Sequence, residues 1–131
     1  MHGFHANIED LTKANDHFRQ VLYTGHKLQL VVMTLQPGEE IGAEVHKDRD
    51  QFFRFEKGRG EVTVDETVYQ VEKEDAVIVP QGARHNVRCT GDKPLRFYTL
   101  YGPPEHIDGT VHATPADAKA NKEHFDGKTS E

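Results

Sequence analysis

Four side chains in this sequence have the types and spacing to hold a metal ion: Glu44, His46, Gln51 and His85. Glu44 and His46 stand two residues apart, so on one strand both leave the same face. Gln51 opens the next apolar run, after the charged bend Lys47-Asp48-Arg49-Asp50. The register that turns Gln51 inward also buries Phe53 and Phe55 and sends Arg54 and Glu56 outward, as a half-buried strand requires. A buried carboxamide among phenylalanines needs a polar partner, and Glu44 and His46 lie across the bend to supply one. His85 follows the turn Pro80-Gln81-Gly82 and begins a strand whose alternate residues are Val87 and Cys89, so it shares their inward face. Two imidazoles, a carboxylate and an amide oxygen suit one first-row divalent ion: Zn, Fe, Mn, Ni or Co. The alternative is a metal-free cavity, with His46 and His85 as polar lining and Glu44 hydrogen-bonded to Gln51.

The elements that must position these residues read as strands. Short apolar runs cover Arg19–Tyr23, Leu28–Leu35, Ile41–His46, Gln51–Glu56, Glu61–Val64, Thr67–Val71, Ala76–Val79, His85–Cys89 and Leu95–Tyr101. They are punctuated by Gln36-Pro37-Gly38, Lys57-Gly58-Arg59-Gly60, Pro80-Gln81-Gly82 and Thr90-Gly91-Asp92, the pattern of an all-β sandwich or barrel. The turn at Asp65-Glu66 lacks the glycine that a tight hairpin prefers. We read one domain over 1–131: an N-terminal arm (1–18), a barrel core (about 19–101) and a C-terminal tail (102–131). In the arm, Ile8–His17 predicts a short helix. Gly102-Pro103-Pro104 blocks strand continuation, and Thr114 then Pro115 read as the N-cap and first residue of a helix reaching about Phe125.

Composition narrows the function classes. Lys and Arg number 16 against 22 Asp and Glu, a net charge of −6, which disfavours nucleic acid and anionic membrane surfaces. The single cysteine, Cys89, cannot form an internal disulfide, which fits a reducing compartment. The first residues lack a basic and then apolar leader, and no run approaches the ~18 apolar residues of a membrane span, so the expected location is cytoplasmic.

The run Gly38-x5-Glu44-x-His46-x4-Gln51-x6-Gly58 resembles the first cupin motif, and Pro80-x-Gly82-x2-His85-x3-Cys89 resembles the second. Together with the flanking strands, the likeness covers about Leu28 to Tyr101. It implies an all-β double-stranded β-helix, the cupin jelly-roll barrel, with a short N-terminal arm and a C-terminal helix. It also implies one divalent metal ion held by Glu44, His46, Gln51 and His85. Four positions depart from the family pattern: Glu44 for the first histidine, Gln51 for the glutamate, Glu74 for the leading glycine of the second motif and Cys89 for its asparagine. The carboxylate has in effect moved from position 51 to 44, and an amide has replaced one imidazole. An amide oxygen is a weak neutral ligand, so looser metal binding is expected than in a three-histidine site.

The segment Pro103–His112 resembles tails of small cupins called mannose-6-phosphate isomerase-like. Tyr98, His106 and His112 are the candidate proton donors or acceptors, with Tyr101 an alternative to Tyr98 on the last strand. The expected function is metal-assisted, isomerase- or lyase-type chemistry on a small oxygenated molecule; a non-catalytic binder and an iron dioxygenase are the alternatives. Arg49 and Arg84 are the basic candidates at the cavity mouth. A homodimer that hides the sheet edges is expected.

Overall fold

The alternation read from the sequence becomes an alternation of burial. Along the last long strand Leu95, Phe97, Thr99 and Tyr101 are buried while Arg96, Tyr98 and Leu100 between them are only partly so. The computed structural model describes residues 1–131. Ten strands form: β1 (Arg19–Thr24), β2 (Gln29–Leu35), β3 (Glu44–Val45), β4 (Asp50–Lys57), β5 (Arg59–Val64), β6 (Thr67–Glu72), β7 (Ala76–Val79), β8 (Arg84–Cys89), β9 (Leu95–Gly102) and β10 (Val111–His112). The helices are α1 (Ile8–Ala14) and α2 (Pro115–Ala120). Two antiparallel sheets face each other, one ordered β10-β1-β2-β9-β4-β7 and the other β3-β8-β5-β6. This is the expected double-stranded β-helix.

Between the sheets, Phe53, Phe55 and Phe97 are wholly buried, with ring centroids 5.3–6.3 Å apart. Removing one such ring costs about 3–5 kcal/mol, so this cluster fixes the spacing of the two layers. It fills one part of the interior and leaves the end near β3 and the start of β8 to polar side chains.

Several expectations need correction. Glu56 points away from the core as predicted, yet it is 5% exposed, because α1 packs on β4 and β9. Arg54 Nε lies 2.9 Å from its carboxylate. Helix α1 stops at Ala14, short of His17, because Asn15 forms an Asx turn: its Oδ1 accepts from the His17 N–H and its Nδ2 donates to the His17 carbonyl. The strand predicted over 41–46 pairs regularly only at Glu44–Val45. Strand β10 lies outside the strands expected from the sequence: its two residues pair with β1, His112 opposite Arg19 and Val111 opposite Gln20. Helix α2 is capped by Thr114, whose hydroxyl accepts from the Asp117 N–H, but ends at Ala120.

Candidate metal centre

Cross-strand pairing brings the first ligands together. Glu44 on β3 is the register partner of His85 on β8, and the neighbouring Val45 is exposed while Glu44 and His46 turn inward. One ligand atom from each of Glu44, His46 and His85 lies within 4.8 Å of the others. His46 Nε2 sits 3.2 Å from Glu44 Oε2 yet, though buried, makes no hydrogen bond. Donors sharing one zinc at about 2.0–2.1 Å sit about 3.3 Å apart, so this spacing fits two ligands whose lone pairs converge on a cation.

The remaining ring nitrogens are tied back into the protein. His85 Nδ1 lies 3.2 Å from the Ala83 carbonyl oxygen, to which it donates, leaving Nε2 free as a ligand. His46 Nδ1 faces Glu105 Oε2 at 3.6 Å, and that carboxylate is paired with Arg49 Nη1 at 2.6 Å. Such outer partners set ring orientation in metal sites.

Gln51 arrives from the opposite sheet. It is 3% exposed, its Nε2 donates to Thr99 Oγ1 at 3.0 Å, and its Oε1 is buried without a partner. An amide anchored through nitrogen with an orphaned oxygen has the polarity of a ligand, since an unsatisfied buried acceptor costs about 1–3 kcal/mol. Glu44, His46 and His85 therefore group closely enough to share a divalent ion, and the buried Gln51 Oε1 on the facing sheet, like His46 Nε2, has no hydrogen-bond partner.

Electrostatics agree. Burial alone would raise the Glu44 carboxyl, but His46, Arg19 and His85 together hold it below the ordinary carboxylate range. Burial lowers His85, with the His46 charge acting the same way against the Ala83 carbonyl and Glu44. A neutral imidazole beside an ionised carboxylate is the protonation state that binds metal.

The proton-transfer candidates divide. Tyr98 faces away from the interior and packs against Phe52, centroids 6.3 Å apart, because strand alternation gives the inward positions to Thr99 and Tyr101. Tyr101 is the tyrosine at the inward position: it is 2% exposed, with its ring edge-on to His46 at 5.8 Å and to His106 at 5.2 Å. Burial pushes its phenol well up, so the hydroxyl keeps its proton at neutral pH. His106 lines the cleft beside Glu44, with Nδ1 2.8 Å from Glu123 Oε1 and Nε2 3.3 Å from the Tyr101 hydroxyl. His112 does not line that cleft; it is buried on β10, with Nδ1 3.3 Å from Arg19 Nη1. Arg49 is committed to Asp48 and Glu105, and Arg84 is exposed.

Three contributors escaped sequence reasoning. Glu105 and Glu123 lie in a polar tail with no periodicity to orient them. Arg19 was readable, since Arg19 and Val21 alternate on β1 and Val21 is apolar. The tail is hung on one fully buried side chain, Gln29, whose Oε1 accepts from the Glu105 and His106 N–H groups while its Nε2 donates to the His106 carbonyl.

A family model for the cupin domain matches residues 31–101. The chain belongs to the cupin family. It is 46% identical over 123 residues to the Bacillus subtilis (strain 168) protein YrkC, covering 89% of this cupin and 66% of YrkC, just under two thirds of that relative. The crystal structure of BH2720 from Bacillus halodurans superposes with a TM-score of 0.90 at 45% identity, over 92% of this chain and 96% of that one. KdgF from a Halomonas species shares the fold at TM-score 0.62 and 19% identity, over 65% of this chain and 76% of that one.

Proposed function

We propose that this cupin is a metal-dependent protein acting on a small oxygenated molecule by isomerase- or lyase-type proton transfer. The observation that carries the reading is the grouping of Glu44, His46 and His85 donor atoms within 4.8 Å of one another, with His46 Nε2 and Gln51 Oε1 both buried and without a hydrogen-bond partner. A divalent ion there would polarise a substrate oxygen as a Lewis acid.

The chain's own residues supply the rest. Glu44, His46, Gln51 and His85 would hold the ion, next to the cleft that Glu44 and His106 line. His106 is the acid/base candidate: its Nδ1–H donates to Glu123, which fixes the tautomer and leaves Nε2 to accept a hydrogen bond from the Tyr101 hydroxyl. Tyr101, held protonated by burial, is the donor next to the ligand His46. Burial also lowers His106, keeping it neutral and able to accept a proton near pH 7.

A second reading has its own support. Glu44, His46 and His85 form a set of two histidines and one carboxylate, the donor set of non-haem iron oxygenases.

The test is elemental analysis of untagged protein, wild type against the double variant His46→Ala/His85→Ala. Near-stoichiometric zinc, manganese, nickel or cobalt in the wild type and its loss in the variant is the expected result. Iron with oxygen consumption selects the second reading, and metal-free wild type that also fails to bind added zinc overturns both.

A further inference from the structure

We propose that the cleft beside the metal centre is a subsite for a small monocarboxylate, with Arg19 as its anion-binding group. The proposal deepens the metal-dependent reading and rests on it for the second half of the ligand.

The cleft has a volume of about 270 Å³ and runs between the barrel and the C-terminal segment. Its walls carry Arg19, Glu44, Glu105, His106, Lys119 and Lys122, among others. That size lies just below the range for drug-sized ligand pockets, about 300–1,000 Å³, and so suits only a small molecule.

Arg19 is the anomaly. Arg49, Arg54, Arg59, Arg88 and Arg96 each lie in an ion pair with a carboxylate. Arg19 is 7% exposed and lies in none. Its Nη1 lies 3.3 Å from His112 Nδ1, its guanidinium lies 5.2 Å from the Phe18 ring centroid, and its Nε is buried without a partner. A guanidinium stays charged at any physiological pH, and a buried charge without a counter-ion is strongly unfavourable. Its charge reaches the site, helping to hold Glu44 down and lowering His106, but neither contact is an ion pair. A ligand carboxylate in the cleft that Arg19 lines would supply the missing counter-ion by charge-assisted hydrogen bonding.

The remaining wall charges select the type of anion. Glu44, Glu105 and Glu123 face the same space, so a phosphate dianion would meet three carboxylates. A single negative charge at Arg19, with Lys119 and Lys122 at the rim, meets less repulsion. A second oxygen on the same small molecule would then face the metal beside Glu44, as in a 2-oxo or 2-hydroxy acid.

Calorimetric titration with pyruvate and with inorganic phosphate tests this. Wild type, Arg19→Met and Arg19→Lys are each measured after metal removal with EDTA and again after zinc loading, with thermal melts confirming folding. Pyruvate is expected to bind wild type in both forms, more tightly than phosphate, and more tightly with zinc. Arg19→Met is expected to weaken pyruvate at least tenfold in both forms. Arg19→Lys keeps the charge but not the fork; it is expected to weaken binding less, and it decides the matter should Arg19→Met fail to fold. Equal pyruvate affinity in all folded proteins, tighter phosphate binding or no pyruvate binding by wild type overturns the proposal. Zinc uptake with Arg19-independent pyruvate binding sinks the subsite alone. Arg19-dependent binding without zinc uptake sinks the metal reading alone.

Discussion

Gln51 offers a direct measure of what an amide costs a cupin metal centre. Gln51→Glu is expected to tighten zinc by about tenfold and Gln51→Leu to weaken it by a similar factor, read by competition with a chromophoric chelator. Gln51→Leu tighter than wild type would exclude Oε1 as a ligand. His106 and Glu123 make a prediction about pH. Burial outweighs Glu123 in lowering His106 below its ordinary value of 6.5, with Arg19 acting the same way and Glu105 opposing; the Tyr101 hydroxyl also faces the ring. His106 and the Ile107 N–H hold Glu123 below 4.5 against the effect of burial. In both cases the unfolded chain binds more protons than the folded one just below the ordinary value, so stability is full above pH 6.5 and is lost as the pH falls toward the folded values. Urea unfolding of metal-free protein between pH 7 and 4 should show this slope, and His106→Phe should flatten its upper part. Most ligands were legible because i, i+2 spacing and a turn fix where they point. Tyr98 against Tyr101 was not settled, since strand phase decides it, and both neighbours of Tyr98 in its own phase, Arg96 and Leu100, gave mixed signals.

At the scale of elements, the sequence placed nearly every strand because Gly, Pro and Asp mark their ends. It failed where pairing is short or contacts are remote: β10 has two residues, and the burial of Glu56 depends on a helix from the distant arm. The motif departures acquire meaning here. Glu74 stands where the family pattern has glycine and adopts φ +73°, the left-handed region that side chains disfavour. Its N–H is held by the Phe55 carbonyl at 2.8 Å, so the turn is kept despite the strain. Glu74→Gly is expected to stabilise by about 0.5–1 kcal/mol, relief of the left-handed penalty outweighing the added freedom of the unfolded chain. An unchanged or lower melting temperature would contradict that account. Gly58 has the reverse constraint: φ is +91° and an added Cβ would strike the Pro94 carbonyl oxygen and lie 2.9 Å from Leu95 Cα. Gly58→Ala is therefore expected to destabilise by about 1–3 kcal/mol in denaturant titration.

For the whole molecule, the expected homodimer has a concrete place to form. The outer strands β6 and β7 expose Val68, Tyr69 and Ile78. Light scattering is expected to give twice the 14.9 kDa chain mass, reduced to the chain mass by Ile78→Lys together with Tyr69→Lys. A wild-type monomer at micromolar concentration would end that expectation. No helix is long and apolar enough to cross a membrane. The way Gln29 suspends the tail has a further consequence. The barrel supplies the candidate metal donors, whereas residues 105–124 supply most of the opposite wall and are held to the barrel by the Gln29 carboxamide, the β10–β1 pairing and the contact of His106 with the Tyr101 hydroxyl. The candidate metal donors and most of the cleft wall thus lie on different stretches of polypeptide, with Arg19 on β1 and His106 in the tail crossing that division. Descendants of this chain could change what they admit by rewriting some twenty residues, with the ion's cage left as it was.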